Sequence, residues 1–344
     1  MENKIIPKQN MDSFINNLIS TGEEVIGPKR KDGKYDWGKV NEASEIILDY
    51  DVTLLPPTQY LFTKKETLLR FKLDGKPIVE PVVESKPIIL FAVHPYDIKA
   101  IELLDTAFSL TNPDINYLAR REKTTIIGLD CLNPNPKAFC VGMGTATTDT
   151  GFDLMLTDIG DSYIAAIGSE KGKQLLQKCT QTTEATETQL SQRETVRQEA
   201  LAKYQVSLTT SPHELPQLLE KSWDSKVWKE RSEPCLSCGS CVMVCPTCFC
   251  FDVQDDIALN LKEGERYRQW DACLLADFAA VAGGGNFRKN KESRFRHRMY
   301  RKGKYVLERF DRLGCVGCGR CASTCLAEIA SPAETFNMLK EEVK

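Results

Sequence analysis

The sequence predicts a protein of mixed α+β and α/β class, with an N-terminal α/β domain whose sheet is partly parallel and a C-terminal helical domain. Its 344 residues correspond to about two domains of ordinary size. Strand and helix patterns alternate in the first half of the chain. In the second half, 11 of the 14 cysteines lie between Cys235 and Cys325, which indicates that the two halves differ in kind.

The elements of the N-terminal half follow from the spacing of its apolar residues. Apolar side chains at helical spacing between Met11 and Ile19 predict a helix that Gly22 ends. Ile88–Val93 and Thr124–Leu129 are short apolar runs typical of buried strands, and an amphipathic helix over 97–108 connects them. Such a unit pairs its strands in parallel. Segments 152–156 and 163–167 flank a polar turn and predict a hairpin.

The domain boundary is expected in a polar stretch of the chain. Segment 180–197 is rich in Thr, Gln and Glu, which is typical of a linker or a solvent-exposed helix. The predicted divisions are an α/β domain over 1–180, a helical connection over 181–225 and a cysteine-rich domain over 226–344. Within the last domain, 246–314 is a long insertion, in which 266–281 is predicted to be helical.

Composition narrows the classes of function. The net charge of −3 does not suit a protein that coats nucleic acid, and no apolar run is long enough to predict a membrane span. The polar N-terminus lacks the apolar core of a secretory signal, so we expect a cytoplasmic protein with no direct membrane insertion and no nucleic-acid partner. In that compartment, many thiols indicate metal binding in preference to disulfides.

Two complete copies of one cysteine motif, C-x2-C-x2-C-x3-C, lie in the C-terminal domain. Bacterial two-cluster ferredoxins use this spacing to hold two [4Fe–4S] clusters. Three thiolates wrap one corner of a cubane in a tight loop, and the fourth reaches the other cluster. The sequence therefore predicts a ferredoxin-like module with two crossed ligand sets. They are Cys235, Cys238, Cys241 and Cys325 for cluster 1, and Cys315, Cys318, Cys321 and Cys245 for cluster 2.

Two alternatives to this assignment stay open. Tetrahedral zinc needs only four ligands, usually as separated C-x2-C pairs, and would make the chain a zinc-binding scaffold. The other alternative is a third iron–sulfur cluster in addition to these two, because several cysteines lie outside the motifs. Since these cysteines form no complete motif, they are also consistent with buried structural thiols. The residues for this third cluster are Cys248, Cys250, Cys273, Cys131 and Cys140.

A basic segment lies between the two motifs. Residues 288–312 include 11 Lys and Arg against three acidic residues. One hypothesis is a positive surface that docks an acidic partner. The alternatives are cations that balance the charge of the clusters internally, or a solvated helix face. The candidate docking residues are Arg294, Arg296, Arg298 and Arg301.

Polar residues follow the two predicted parallel strands, at the sheet edge where functional groups gather. His94 and Asp97 follow the first strand, and Asp130 and Cys131 follow the second. A small substrate site is one interpretation. The simpler one is that Asp97 caps the next helix and His94 has a structural role. No catalytic residue is assigned from the sequence.

These residues also carry a resemblance to a known family. The chain resembles the iron–sulfur β subunit of cytosolic sulfhydrogenases and the related A subunit of anaerobic sulfite reductases. The matching segments include CLSCGSCVMVCPTCFC, RYRQWDAC, AGGGNFR, CVGCGRC and PIILFAVHPYDIKAIELLD. Cysteine is usual in the family where Tyr96 and Ala138 stand here, which argues against a cluster in the N-terminal domain. Histidine is usual where Gly285 stands.

The resemblance implies an electron-transfer subunit of a cytoplasmic multi-subunit oxidoreductase of hydrogenase, sulfur reductase or sulfite reductase type. Such a subunit relays electrons between a subunit that binds flavin and NAD(P)H and a catalytic redox subunit. We therefore expect a chain that is not catalytic alone. The alternative enzyme is a self-contained iron–sulfur reductase with its substrate near His94, Asp97 and the clusters.

Overall fold

The structure is a computed structural model that describes residues 2–343. In that part of the chain, twelve strands form two sheets, one of eight strands and one of four. The strands are β1 (Asn3–Pro7), β2 (Glu24–Lys31), β3 (Lys34–Lys39), β4 (Lys65–Lys72), β5 (Ile78–Pro81), β6 (Ile88–Val93), β7 (Thr124–Leu129), β8 (Leu154–Asp158), β9 (Ser162–Ile167), β10 (Thr183–Glu184), β11 (Phe251–Ile257) and β12 (Glu263–Trp270).

Thirteen α-helices lie in the same described residues, and none of them is long and apolar enough to cross a membrane. A π-helical turn, Arg301–Tyr305, joins two of them. The helices are α1 (Met11–Ile19), α2 (Pro95–Ser109), α3 (Ile115–Glu122), α4 (Cys140–Met143), α5 (Glu170–Cys179), α6 (Glu187–Ala202), α7 (Leu215–Lys221), α8 (Val227–Ser232), α9 (Ser240–Met243), α10 (Lys291–Tyr300), α11 (Val306–Phe310), α12 (Arg320–Thr324) and α13 (Pro332–Val343).

The large sheet has the strand order β10-β1-β9-β8-β7-β6-β2-β3. Its centre, β2, β6, β7 and β8, is parallel, and the outer pairings are antiparallel. Alternate residues of β6 point to opposite faces: Phe91 packs with α1 and α5, and Leu90 packs with α2 and α3. Because helices cover both faces, the central strands are apolar along their whole length.

Most predicted N-terminal elements are confirmed. The helix at Met11, both apolar strands, the helix that connects them and their parallel pairing are present. The predicted hairpin is the antiparallel pair β8 and β9, which begins at Leu154. The polar segment around 180–197 is mostly the helix α6, which begins at a capping box formed by Thr186 and Gln189.

The prediction of a helix over 266–281 is wrong. Its first residues belong to the strand β12, which pairs with β11 on one side and β4 on the other. Turns and a short 3-10 helix, Asp277–Ala279, follow this strand. Pairing with two neighbouring strands outweighs the local preference of this segment for a helix. Strand formation depends more on cross-strand contacts than on the intrinsic preferences of the residues.

The small sheet combines strands from both sides of the predicted domain boundary. β4 and β5 come from the N-terminal half, and β11 and β12 come from the cysteine-rich half. Arg268 of β12 is 3% exposed and pairs with Glu66 of β4 and with Asp114 at the start of α3. The insertion between the two cysteine motifs is therefore fixed to the N-terminal half by a continuous ladder and by buried charges.

A second buried ion pair joins the two halves at the second cysteine motif. The Arg320 guanidinium donates two hydrogen bonds to the Asp97 carboxylate, at 2.6 and 2.7 Å, and two more to Thr53. Asp97 and Arg320 are 0% and 2% exposed. Asp97 lies in the first turn of α2, so this contact fixes the loop of the second motif against the end of the parallel sheet.

We predict that Asp97→Ala strongly destabilises the protein. The change leaves the Arg320 guanidinium buried without its counter-charge, which costs about 3–5 kcal/mol. Denaturant unfolding of the anaerobic protein measures the loss. Asp74→Ala is the control, because its ion pair with Lys262 is exposed and contributes about 0–1 kcal/mol. Equal losses for the two variants would contradict the prediction.

Candidate metal centre

Both cysteine motifs fold into a loop that ends in a short helix. Gly239 precedes α9 and Gly319 precedes α12, with φ of +74° and +80°. This left-handed conformation favours glycine because it has no side chain. A Cβ on Gly319 would lie 2.8 Å from the backbone nitrogen of Ala138, so the second loop packs directly on the N-terminal half. Glycine at these two positions lets each loop turn within three residues of its cysteines.

Thiols of both motifs line one cavity of the cysteine-rich half. Three of them belong to the first motif, and the fourth is Cys325 from the end of the second motif. The rest of the lining is mostly apolar, apart from Arg298. Cys238 is exposed, so this cavity lies near the protein surface. The four thiols are those of the predicted first ligand set: Cys235, Cys238, Cys241 and Cys325.

The other thiols form a deeper group. Cys315, Cys318 and Cys321 are all buried. Burial raises the pKa of Cys315 to about 12, and the neighbouring sulfurs of Cys321 and Cys245 act in the same direction, against the charge of Lys302. Cys245 of the first motif therefore lies beside the second motif. The structure brings together the four members of each predicted set, with the last cysteine exchanged between motifs.

Lys302 is the nearest charge to Cys245. Its ammonium group is 3.0 Å from the Cys245 sulfur, 2.8 Å from the Thr247 hydroxyl and 3.3 Å from the Cys248 sulfur. The lysine is 4% exposed. Burial alone would lower the pKa of Lys302. The Cys245 and Cys248 sulfurs raise this pKa by more than burial lowers it, so the net shift is upward. The lysine is thus a charged donor to sulfur.

Lys302 is the last of three cations on one helix face, which we call the cationic row: Arg294, Arg298 and Lys302. Each lies four positions after the one before it, so they share one side of α10 and the π-helical turn. Arg294 donates to the Ser237 hydroxyl, in the first loop, at 3.1 Å. The row therefore runs from the first thiol set to the second.

Arg298, in the middle of the row, indicates that an anion belongs in this region. It is 1% exposed, and its Nη1 donates to the Ala330 carbonyl at 3.1 Å. Its Nε and Nη2 find no partner among the described residues. A buried guanidinium with open donors is costly unless an opposite charge faces it. An iron–sulfur cluster with four thiolate ligands is an anion, so the residues present fit such a group.

The predicted docking role does not suit Arg294 and Arg298, because the side chains are 5% and 1% exposed and leave little for a partner to contact. Arg298 lies near the sulfurs of both motifs, and Arg294 donates to backbone carbonyls and to Ser237. This placement favours the alternative in which these cations balance negative charge internally. Arg296 and Arg301 are half-buried. Arg296 lies over the Trp223 ring at 4.1 Å and Arg301 over the Phe249 ring at 4.7 Å, leaving both partly open to solvent.

The residues of the possible third cluster lie in two places. Cys248, Cys250 and Cys273 lie near Cys245, in an apolar group that also includes Cys241 and Cys321. A second apolar group, with Tyr96, Ala138 and Cys318, holds the other two: Cys131 and Cys140. Among residues 2–343, no three His, Cys, Asp or Glu side chains converge closely enough to hold a single metal ion.

The polar residues at the strand ends have structural partners. Both ring nitrogens of His94 contact backbone carbonyls, those of Leu129 and Tyr50, at 2.9 and 3.1 Å. Asp130 accepts hydrogen bonds from Thr157 and Arg197. Asp97 is occupied by Arg320. These contacts favour the structural interpretation of the strand ends over a substrate site.

Sequence reasoning missed Lys302 as a functional residue. The signal was present in the basic segment, where a cation recurs every fourth residue from Arg294 to Lys302. Such a stripe is as typical of a solvated helix face as of a buried one. Only the packing of α10 against both motifs distinguishes the two.

Comparison with known proteins agrees with this arrangement. Residues 234–329 match the family model described as a 4Fe-4S dicluster domain. This segment holds both cysteine motifs and the whole cationic row. Fold and site together define an iron–sulfur protein of the [4Fe–4S] class.

A full-length relative narrows the family. The chain is 35% identical over 317 residues to the sulfhydrogenase 2 subunit beta of Pyrococcus furiosus, and the match covers 92% of each chain. The chain belongs to the family of sulfhydrogenase β subunits. No solved structure matches it.

We predict that Lys302→Met makes the reduction potential of the cluster at the second motif more negative. Loss of a buried positive charge disfavours the extra electron, and a tenfold change in the equilibrium corresponds to about 60 mV. Redox titration followed by EPR measures the shift. Lys304→Met is the matched control, because Lys304 pairs with Glu220 and Glu308 away from the thiols. The same shift in both variants would contradict the prediction.

Proposed function

We propose that this chain is the electron-transfer iron–sulfur subunit of a cytoplasmic multi-subunit oxidoreductase. It relays electrons between a subunit that binds flavin and NAD(P)H and a catalytic redox subunit of the sulfhydrogenase type. The observation that carries the proposal is the pair of crossed thiol sets on either side of one row of buried cations. The chain is one component of the enzyme and is not catalytic alone.

The ligands in this proposal are the two crossed sets of cysteines. Cys235, Cys238, Cys241 and Cys325 hold cluster 1, and Cys315, Cys318, Cys321 and Cys245 hold cluster 2. When bound, each [4Fe–4S] cluster accepts and returns one electron. The chain's own residues keep the sulfurs in place, exclude water from the deeper set and supply the positive charge that the anionic clusters need.

The two sites differ in their access to solvent. Cys238 is exposed at the first site, whereas the second site is covered by the N-terminal half through Gly317, Gly319 and Arg320. The first site is therefore a point where an electron can cross to a partner over a short distance. The second site is suited to passing electrons within the protein.

The residues at the strand ends support a relay over a self-contained reductase. His94 and Asp97 were the groups available to bind a substrate near the clusters. Both are buried, and their polar atoms contact backbone carbonyls or Arg320. A substrate would have to displace these partners before it could bind.

We predict that anaerobically purified protein contains about eight iron atoms per chain, with matching sulfide, because two cubanes hold four each. Iron, sulfide and zinc analysis of the same sample measures this. About twelve iron atoms would indicate the third cluster through Cys248, Cys250 and Cys273. Zinc without iron would overturn the electron-transfer proposal.

We predict that Cys325→Ser disturbs the cluster at the first motif and Cys245→Ser disturbs the cluster at the second. The reason is that each last cysteine belongs to the other motif's thiol set. EPR of each variant identifies which cluster changes first. Cys179→Ser, a buried thiol in the N-terminal core, is the control for cysteine loss alone. If each variant disturbs only the cluster of its own motif, the crossed assignment fails.

A further inference from the structure

Two cysteines outside the proposed ligand sets meet at the base of the hairpin formed by β11 and β12. Cys250 immediately precedes β11, and Cys273 follows shortly after the end of β12. The strands pair Phe251 with Trp270, and the Asp271 backbone N–H donates to the Cys250 carbonyl at 3.0 Å. The ladder therefore brings these two cysteines together whether or not a cluster is bound.

The two side chains lie close to each other. Each is the main influence on the other's pKa, and both pack in the same apolar group. Cys273 is 3% exposed and Cys250 is half-buried. Both lie in the apolar group that contains Cys241 and Cys321, one cysteine from each proposed ligand set. The pair thus lies beside both cluster sites.

Nearby charge favours the thiolate of Cys250. The hydrogen bond from Cys273 is the main cause that lowers the pKa of Cys250, to about 7; Arg301 and Lys302 lower it further, and burial opposes them. A thiolate is the reactive form of cysteine in disulfide chemistry. Cys248 has a different partner, because the Lys302 ammonium group donates to its sulfur at 3.3 Å.

Cluster ligation is the less suitable role for this pair. A cubane needs four ligands. With Cys245 assigned to the second set, the described residues offer only Cys248 in addition to the pair. Cys131 and Cys140 lie in a different apolar group, beside Cys318. Two neighbouring thiols without a complete ligand set are instead the arrangement of a dithiol.

We propose that Cys250 and Cys273 form a redox-active dithiol that exchanges two electrons with the clusters. This rests on the proposed function for the clusters themselves. On oxidation, the S–H bond of Cys273 breaks, its proton leaves to solvent and an S–S bond forms between the two sulfurs. The two electrons released reduce two oxidised clusters by one electron each. The reverse reaction takes one electron from each reduced cluster, takes up a proton and restores the thiolate and the thiol.

The dithiol gives the chain a two-electron store beside two one-electron carriers. A nicotinamide delivers electrons in pairs, whereas each cluster takes one. A pair that accepts both electrons lets the chain hold them until the next carrier is free. The site is therefore a protein dithiol that accepts electrons in pairs and passes them on one at a time.

The test is an anaerobic reductive titration of the full chain together with thiol trapping. The fully oxidised wild-type protein is expected to take up about four electrons, two at the clusters and two at the disulfide. Cys273→Ser should take up half as many, with unchanged iron content. In the oxidised wild-type protein, mass spectrometry after alkylation should find Cys250 and Cys273 protected together.

Controls separate this proposal from its alternatives. Cys179→Ser should behave as wild type in the titration, and Cys250→Ser should repeat the result of Cys273→Ser. Alkylation of both thiols in the fully oxidised protein would overturn the proposal, and so would loss of about four iron atoms in Cys273→Ser, which indicates a third cluster. Trapping is also scored on protein without iron. Zinc in place of iron would overturn the proposed function and, with it, electron exchange between the dithiol and clusters. Iron-loaded protein without a protected pair would overturn the dithiol alone.

Discussion

The arrangement of the cysteine-rich half depends on charge compensation between buried cations and sulfur. Arg298 and Lys302 are almost fully buried, and sulfurs are the groups that raise their pKa values against the effect of burial. Neither cation is tolerable in an apolar interior unless negative charge faces it. The thiol sets need the same charges, because four thiolates cannot gather in a buried site without compensation. Cations and sulfurs therefore stabilise each other.

This constraint explains why the basic segment is helical where it passes the motifs. A helix presents every fourth residue on one side, so a single element can carry Arg294, Arg298 and Lys302 past both thiol sets. The π-helical turn after α10 includes Lys302 and continues into α11. Extra residues in a turn of this kind are common at functional sites. The positive charge of the segment is thus directed inward at three positions.

Much of the N-terminal half could be predicted from the sequence because its signals are local. Ile88–Val93 and Thr124–Leu129 are continuous apolar runs with clear ends, and the structure has strands with these bounds. The grouping of the thiols also followed from sequence, since the spacing of the two motifs is specific. The assignment of these thiols to two clusters stays a prediction.

The rest could not be predicted, because it depends on contacts between distant segments. β12 finds partners in β11 and β4, and β4 lies nearly two hundred residues earlier in the chain. The burial of Arg298 depends on how α10 packs, and a charge pattern is the same for a solvated face. Asp97 was expected to cap a helix or bind a substrate, and its partner Arg320 lies 223 residues away.

The exchange of the last cysteine between motifs has a consequence for how the protein matures. Cys325, which completes the thiol set of the first motif, is synthesised after the whole insertion and after the other three cysteines of the second motif. During translation, the first thiol set therefore stays without its fourth thiol until synthesis has passed Cys325. Cluster delivery to that set is then expected to follow the synthesis of both motifs. A truncation shortly before Cys325 would therefore leave the second thiol set complete and the first set without its fourth thiol.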